Sequence, residues 1–153
     1  MALTTRTCLT ADVARTEALG EALGRGIGPC TIALTGGLGA GKTAFVRGLA
    51  RGLGYTGEVS SPTFAIVHEY EGGRLPLIHF DMYRITGWDD LESTGYFDYQ
   101  RRPAVLAIEW SENVEGALPA ARLTVAVERG EKDNERRITL TASGGISLED
   151  LGC

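Results

Sequence analysis

Lysine is almost missing from this chain: thirteen arginines stand against only Lys42 and Lys132. Histidine is equally scarce, with two, and there are three cysteines. Cys8, Cys30 and Cys153 show no C-x-x-C spacing, so neither a disulfide framework nor a zinc site is indicated. No apolar run approaches the roughly 20 residues that cross a bilayer, and the N-terminus lacks the apolar core of a signal peptide. A cytoplasmic protein with no membrane contact is expected. A net charge of −5 and a pI near 5.1 argue against broad, nonspecific nucleic-acid binding, though not against work beside a protein that holds RNA. At 153 residues, a single domain over 1–153 with a real core is the simplest organisation. The arginine, alanine and glycine bias is consistent with base composition and carries no functional message.

Against that background one stretch stands out. Gly36-Gly37-Leu38-Gly39-Ala40-Gly41-Lys42-Thr43 fits G-x-x-x-x-G-K-[ST], the phosphate-binding loop. For this composition, glycine-rich as it is, chance predicts about 0.005 matches in the whole chain. The apolar run Thr31 to Leu34 precedes it, and Ala44 to Ala50 follows with helical spacing at 45, 46, 49 and 50. Strand, glycine loop, helix is the context the motif needs. The glycines let successive N–H groups point inward, and the helix N-terminus adds positive partial charge. Leu38, Gly39, Ala40, Gly41, Lys42, Thr43 and Ala44 are therefore the candidate nucleotide contacts. Lys42 is expected at the β- and γ-phosphates and Thr43 at magnesium. In so arginine-rich a chain, a lysine here reads as a chemical requirement, since a compact ammonium fits between phosphates where a planar guanidinium does not. A glycine turn merely joining strand to helix is the competing reading.

Met1 to Leu9 reads as an edge strand or arm. Thr10 is placed to cap a helix running to about Gly24, with Val13, Leu19, Ala22 and Leu23 inward. Strands are expected over 65–70 and 77–81, joined by a Gly72-Gly73 turn. Asp89 to Glu92 suggests a short acidic helix broken at Gly95. Ala104 to Ile108 is apolar throughout, as in a strand buried on both faces. Two further strands, 123–128 and 137–141, flank a polar turn, and the tail from Ser143 is expected to fray. Helices are too few for a fully doubly wound sheet. The expected class is α/β: a P-loop NTPase-like three-layer fold, with a mixed central sheet, flanking helices and added antiparallel strands.

Two apolar runs end in carboxylates, Asp81 and Glu109. Ligands of open α/β sheets sit at the carboxyl ends of strands. A magnesium-nucleotide site needs one acid for the ion and a group to orient water. Either acid alone reads equally well as a solvated strand end; both together favour a site. Ser61-Pro62-Thr63 stands where a switch segment is found in other phosphate-loop proteins, or else is a proline turn opening a strand. Trp110 either closes the site or fills a core edge. His79, two residues before Asp81, shares its face and suits a buried or supporting role better than metal ligation.

With these pieces in order, the chain resembles the small bacterial ATPase family needed to make threonylcarbamoyladenosine in tRNA, the TsaE/YjeE family. The resemblance is carried by Leu38-Gly39-Ala40-Gly41-Lys42-Thr43, Ser61-Pro62-Thr63-Phe64, His79-Phe80-Asp81-Met82-Tyr83-Arg84 and Ile108-Glu109-Trp110. Thr16, Leu19-Gly20 and Gly95-Tyr96 also fit, so it runs through nearly the whole chain. It implies ATP and magnesium as cofactors, with Thr43 and Glu109 on the metal, Lys42 and Asp81 in hydrolysis, and Ser61-Pro62-Thr63 as switch. It further implies two partner proteins, one of which transfers threonylcarbamoyl to adenosine 37 of tRNA, so that tRNA is met only through the complex. Hydrolysis would reset that complex. Thr10 and the Lys132 to Arg136 turn are further candidates near the adenine. The family often carries Asp where Gly37 stands, which puts in doubt any contact made by that acid. A small-molecule kinase shares the loop, but no separate arginine-bearing lid segment is visible; a nucleotide-binding regulator that never hydrolyses is a third class.

Overall fold

The computed structural model describes residues 3–37, 41–59 and 66–153. Its centre is a sheet of seven strands: β1 (Thr4–Thr10), β2 (Cys30–Thr35), β3 (Val67–Tyr70), β4 (Leu77–Asp81), β5 (Val105–Glu109), β6 (Leu123–Arg129) and β7 (Arg136–Ala142). They lie in the order β1-β7-β6-β2-β5-β4-β3. β2 pairs in parallel with β5 and β6, and β4 in parallel with β5. β3 on β4, β7 on β6 and β1 on β7 are antiparallel. The mixed sheet is thus a parallel nucleus with antiparallel strands added at both edges.

Layering follows from side-chain alternation. β5 is buried at all five positions, as its unbroken apolar run requires. Val105 and Ala107 face the core beneath α1 (Val13–Gly26) and α2 (Lys42–Gly52), while Leu106 and Ile108 face the opposite core. That second core lies under α3 (Trp88–Ser93), α4 (Tyr96–Tyr99) and a 3₁₀ segment, Ser111–Ala117. A hydrogen-bond chain ties it to the sheet: Thr31 Oγ1 donates to Gln100 Oε1 (3.1 Å), Gln100 Nε2 to Tyr96 Oη (2.7 Å), and Tyr96 Oη to Ala117 O (3.0 Å). β6 and β7 alternate buried with half-exposed residues, so their outer face meets solvent.

α1 and α2 touch backbone to backbone through four glycines. A Cβ at Gly48 would come 1.9 Å from Glu17 O, and one at Gly20 2.2 Å from Phe45 O. Gly24 and Gly52 complete the stripe, so α2, which begins at Lys42, is held close against α1. Arg47 to Glu17 (3.2 Å) and Arg51 to Glu17 and Glu21 (3.1 and 3.2 Å) border the contact.

Four expectations are corrected. Asp12, not Thr10, caps α1, accepting from Arg15 N at 2.9 Å; Thr10 is the last residue of β1 and is buried, its hydroxyl 2.7 Å from that of Thr16. Val13 is exposed rather than inward, because the helix begins there and its buried face falls on Thr16, Leu19, Gly20, Leu23 and Gly24. The tail does not fray. Leu148 and Leu151 are buried in the α1–α2 core, and Ser143 Oγ donates to Ala120 O at 2.8 Å. Lastly, Cys8 and Cys153 form a disulfide with Cα atoms 5.5 Å apart. Arg6 donates to the carbonyls of Leu148 and Cys153, which brings the tail beside β1. A pairing over 145 positions leaves no spacing signal to read.

Candidate active site

β2 ends at Thr35, and Gly36 follows at φ +135°, where a Cβ would lie 2.3 Å from Val127 O. Only glycine passes so close to β6 with that backbone. Gly41 sits at φ +106° immediately before α2 and provides no side-chain cap. The first hydrogen bond back into the turn is Phe45 N to Gly41 O at 3.1 Å. The amides of Lys42, Thr43 and Ala44 precede it and, as in the first turn of any helix, have no acceptor within the helix itself. A negative group at this helix end would receive both the donors and the dipole. Leu38, Gly39 and Ala40 lie outside the described residues, as do Ser61, Pro62 and Thr63.

The lysine side chain is the most informative group. Lys42 is buried, and its Nζ has no hydrogen-bond partner among the described residues. Instead it lies over the indole of Trp110, 4.4 Å from the ring centroid. Such a contact contributes roughly 2 kcal/mol when desolvated, less than the cost of burying an ammonium without acceptors. A buried cation without an acceptor among the described residues, at the start of a helix and just after two positive-φ glycines, suits an anionic group such as phosphate. Trp110 is brought there by its own left-handed backbone, φ 57°, at the end of β5. Ser111 Oγ then donates to Leu34 O (3.1 Å), pinning this turn to the end of β2. Tyr83 packs against the indole with ring centroids 4.9 Å apart.

Both predicted carboxylates reach this edge. Leu34, Glu109 and Asp81 are register partners across β2, β5 and β4. Glu109 is buried, and its Oε2 is hydrogen-bonded to His79 Nε2 at 2.6 Å. Asp81 is half-buried, and its Oδ1 accepts from Tyr83 N at 2.9 Å. Asn113 Nδ2 donates to Met82 O (2.9 Å) and holds the connecting turn. Thr10 and Arg136 are register partners at the other flank, and Arg136 Nε lies 3.8 Å from where a Gly41 Cβ would be. Lys132 is exposed in the β6–β7 turn.

The His79–Glu109 contact and the Trp110 cover were beyond sequence reasoning in detail. The period-two spacing of His79 and Asp81 hinted at the first, while the second depends on a single positive φ. Among the described residues, no group of three or more His, Cys, Asp or Glu could hold a metal by itself. Magnesium in a nucleotide site draws ligands from phosphate and water as well, so one carboxylate and one hydroxyl suffice. Glu109 at the edge beside α2, whose second residue is Thr43, fits that donor set.

The comparisons with known proteins agree with one another. The family described as "Threonylcarbamoyl adenosine biosynthesis protein TsaE" matches residues 10–138. A tRNA threonylcarbamoyladenosine biosynthesis protein TsaE from Bacillus subtilis is 46% identical over 113 residues, 74% of this chain and 70% of that one. One from Treponema pallidum is 37% identical over 134 residues, 87% of this chain and 98% of its own. Among solved structures, that of Bacillus subtilis YdiB superposes with a TM-score of 0.79 at 36% identity, covering 94% of this chain and 89% of the other.

Proposed function

This chain belongs to the TsaE family, with its role in tRNA threonylcarbamoyladenosine biosynthesis, and on that premise we propose that it is a magnesium-dependent ATP hydrolase of the modification. The observation that carries the reading is the buried Lys42 ammonium, unpartnered among the described residues, at the uncapped start of α2. Lys42 contacts the β- and γ-phosphates, assisted by the amides that open the helix. Thr43 and Glu109 hold magnesium, which when bound neutralises charge on the phosphoryl oxygens. Asp81, beside Glu109 in register, orients the attacking water with the oxygen that Tyr83 N leaves free. Trp110 covers Lys42 and keeps bulk water from the ammonium. Thr10 and Arg136 flank the nucleotide, and Ser61-Pro62-Thr63 is the switch segment.

In this reading the protein acts in the cytoplasm with two partner proteins, one of which transfers threonylcarbamoyl to adenosine 37, and it meets tRNA through their complex. Its hydrolysis resets that complex between cycles. No described helix is long and apolar enough to cross a membrane. The test is phosphate release from magnesium-ATP, alone and with the two partners and tRNA. Slow release that rises several-fold with the partners and stops on chelation is expected. No release in either condition would overturn the hydrolase reading, and phosphate recovered on a metabolite would favour a kinase. The two acids should separate: Asp81→Asn lowers turnover by about 100-fold with nucleotide affinity retained, whereas Glu109→Ala raises the magnesium requirement. Identical behaviour of the two variants would refute this division.

A further inference from the structure

β4 carries an imidazole where an interior strand ordinarily carries an aliphatic side chain. His79 is completely buried, at 0% exposure, between Ile78 and Phe80, which face the opposite core. Its register partner on β5 is Ala107, and that of Asp81 is Glu109, so Glu109 is the diagonal neighbour of His79 on the face beneath α2. The 2.6 Å separation of His79 Nε2 and Glu109 Oε2 puts the two side chains in direct hydrogen-bond contact. The other ring nitrogen, Nδ1, is buried with no partner. Leaving such a group unpaired costs about 1–3 kcal/mol, and a leucine at this position would avoid it. Packing therefore does not account for the histidine, whereas its contact with Glu109 does.

We propose that His79 is a positioning residue for Glu109. Its Nε2–H fixes Oε2 of the carboxylate, so that one oxygen is committed to the protein and Oε1 alone is offered to magnesium. Asp81 is arranged in parallel fashion, with Oδ1 committed to Tyr83 N. Each acid thereby enters the site with one oxygen immobilised by a donor from the β4 strand or the turn after it. Fixing the carboxylate in advance removes the cost of ordering it when the ion arrives. Partners of this kind typically change metal affinity 10–100-fold. The inference rests on the magnesium-nucleotide reading above.

Two amide variants separate the donor from the space it fills. His79→Gln keeps an N–H near the Nε2 position, whereas His79→Asn places its amide nearer Nδ1 and withdraws the donor from Glu109. The measurement is calorimetric binding of ADP across a magnesium titration and again in chelator. For His79→Asn, we expect the magnesium concentration at half-effect to rise about tenfold or more. Affinity in chelator should stay within about twofold, and His79→Gln should remain near wild type. Equal shifts in both variants, or none in His79→Asn, overturn the proposal. Wild-type protein that binds no ADP under either condition refutes the nucleotide reading instead. Nitrogen-edited proton spectra of the wild-type imidazoles give a second arm, which holds even if both variants fail to fold. The protected Nε2 proton of His79 should persist at saturating magnesium-ADP, and its loss would refute the positioning role.

Discussion

Lys42 concentrates the conflict between stability and function at a single side chain. Among the described residues its ammonium has no acceptor and meets the face of Trp110 instead. Lys42→Ala removes both the desolvated charge and the cation–π contact, and these oppose each other in the free protein. The burial cost is the larger of the two, so folding stability should be unchanged or raised relative to wild type. Nucleotide affinity should fall by about 100-fold or more, because the phosphates lose their main positive contact. Calorimetric titration paired with a thermal melt reads both. A large loss of stability would mean that the lysine is structural. The motif around Lys42 was legible in the sequence because every requirement is local: glycines, one lysine, a strand before and a helix after. The cover over it was legible only as one of two readings of Trp110, since the choice between them depends on that residue's φ of 57°. Cys30, the free cysteine, shows burial acting alone: its thiol is pushed up to about 12. At pH 8 its thiolate population should be about a thousandfold below that of an unshifted thiol, so alkylation of the native protein is correspondingly slow. The sign for stability follows. The folded state keeps the proton that the unfolded chain releases above pH 9, so this contribution is complete below pH 9 and falls as pH rises toward 12. Alkylation at equal rates in native and denatured protein would contradict the burial.

At the scale of elements, the contact between α1 and α2 decides where the candidate site stands. Gly48 faces the Glu17 carbonyl so closely that a methyl would sit 1.9 Å from it. Backbone lies on both sides, so neither partner yields by rotating a side chain. Gly48→Ala should therefore destabilise by about 1–3 kcal/mol through overpacking, despite alanine's better helix propensity. It should also weaken nucleotide binding, since the start of α2 moves with the helix. Denaturant unfolding tests the first expectation and titration the second; a stabilised Gly48→Ala would show that the helices have room to part. The sequence offered a partial view of this contact. The four-residue spacing of Gly20 with Gly24, and of Gly48 with Gly52, is visible, but Gly24 reads naturally as a helix breaker. It lies inside α1 because its missing Cβ admits the backbone of α2. Strands were plainer. The run 104–108 needed only its unbroken apolar character to be recognised as central, and Asp81 and Glu109 could be placed at strand ends by counting. α4 escaped notice because four residues after Gly95 carry too little periodicity to mark a helix.

The whole molecule is closed by contacts that no local pattern encodes. β1 is an edge strand, and the tail beyond β7 returns to it: Leu148 and Leu151 enter the core, Arg6 takes two tail carbonyls, and Cys8 bonds to Cys153. Each partner is unremarkable in sequence and becomes meaningful only once β7 pairs with β1 and delivers the tail. The crosslink spans 145 positions, so chain entropy assigns it up to about 5 kcal/mol of stabilisation through the unfolded state. Burial of each leucine adds about 1.5–3 kcal/mol that does not depend on the bond. These two contributions can be separated. Reductant should lower the unfolding free energy of the wild type by several kcal/mol and leave Cys153→Ser unchanged. Leu151→Ala should lose about 2–5 kcal/mol in either redox state. The candidate site lies at the carboxyl ends of β2, β5 and β4, whereas the disulfide joins β1 to the tail. Nucleotide affinity should accordingly be the same in the oxidised protein, the reduced protein and Cys153→Ser. Denaturant titrations with and without reductant, each followed by ADP binding, test the full set. If reduction altered affinity, the clamp would be coupled to the site through β1, whose last residue Thr10 pairs with Arg136 beside Gly41.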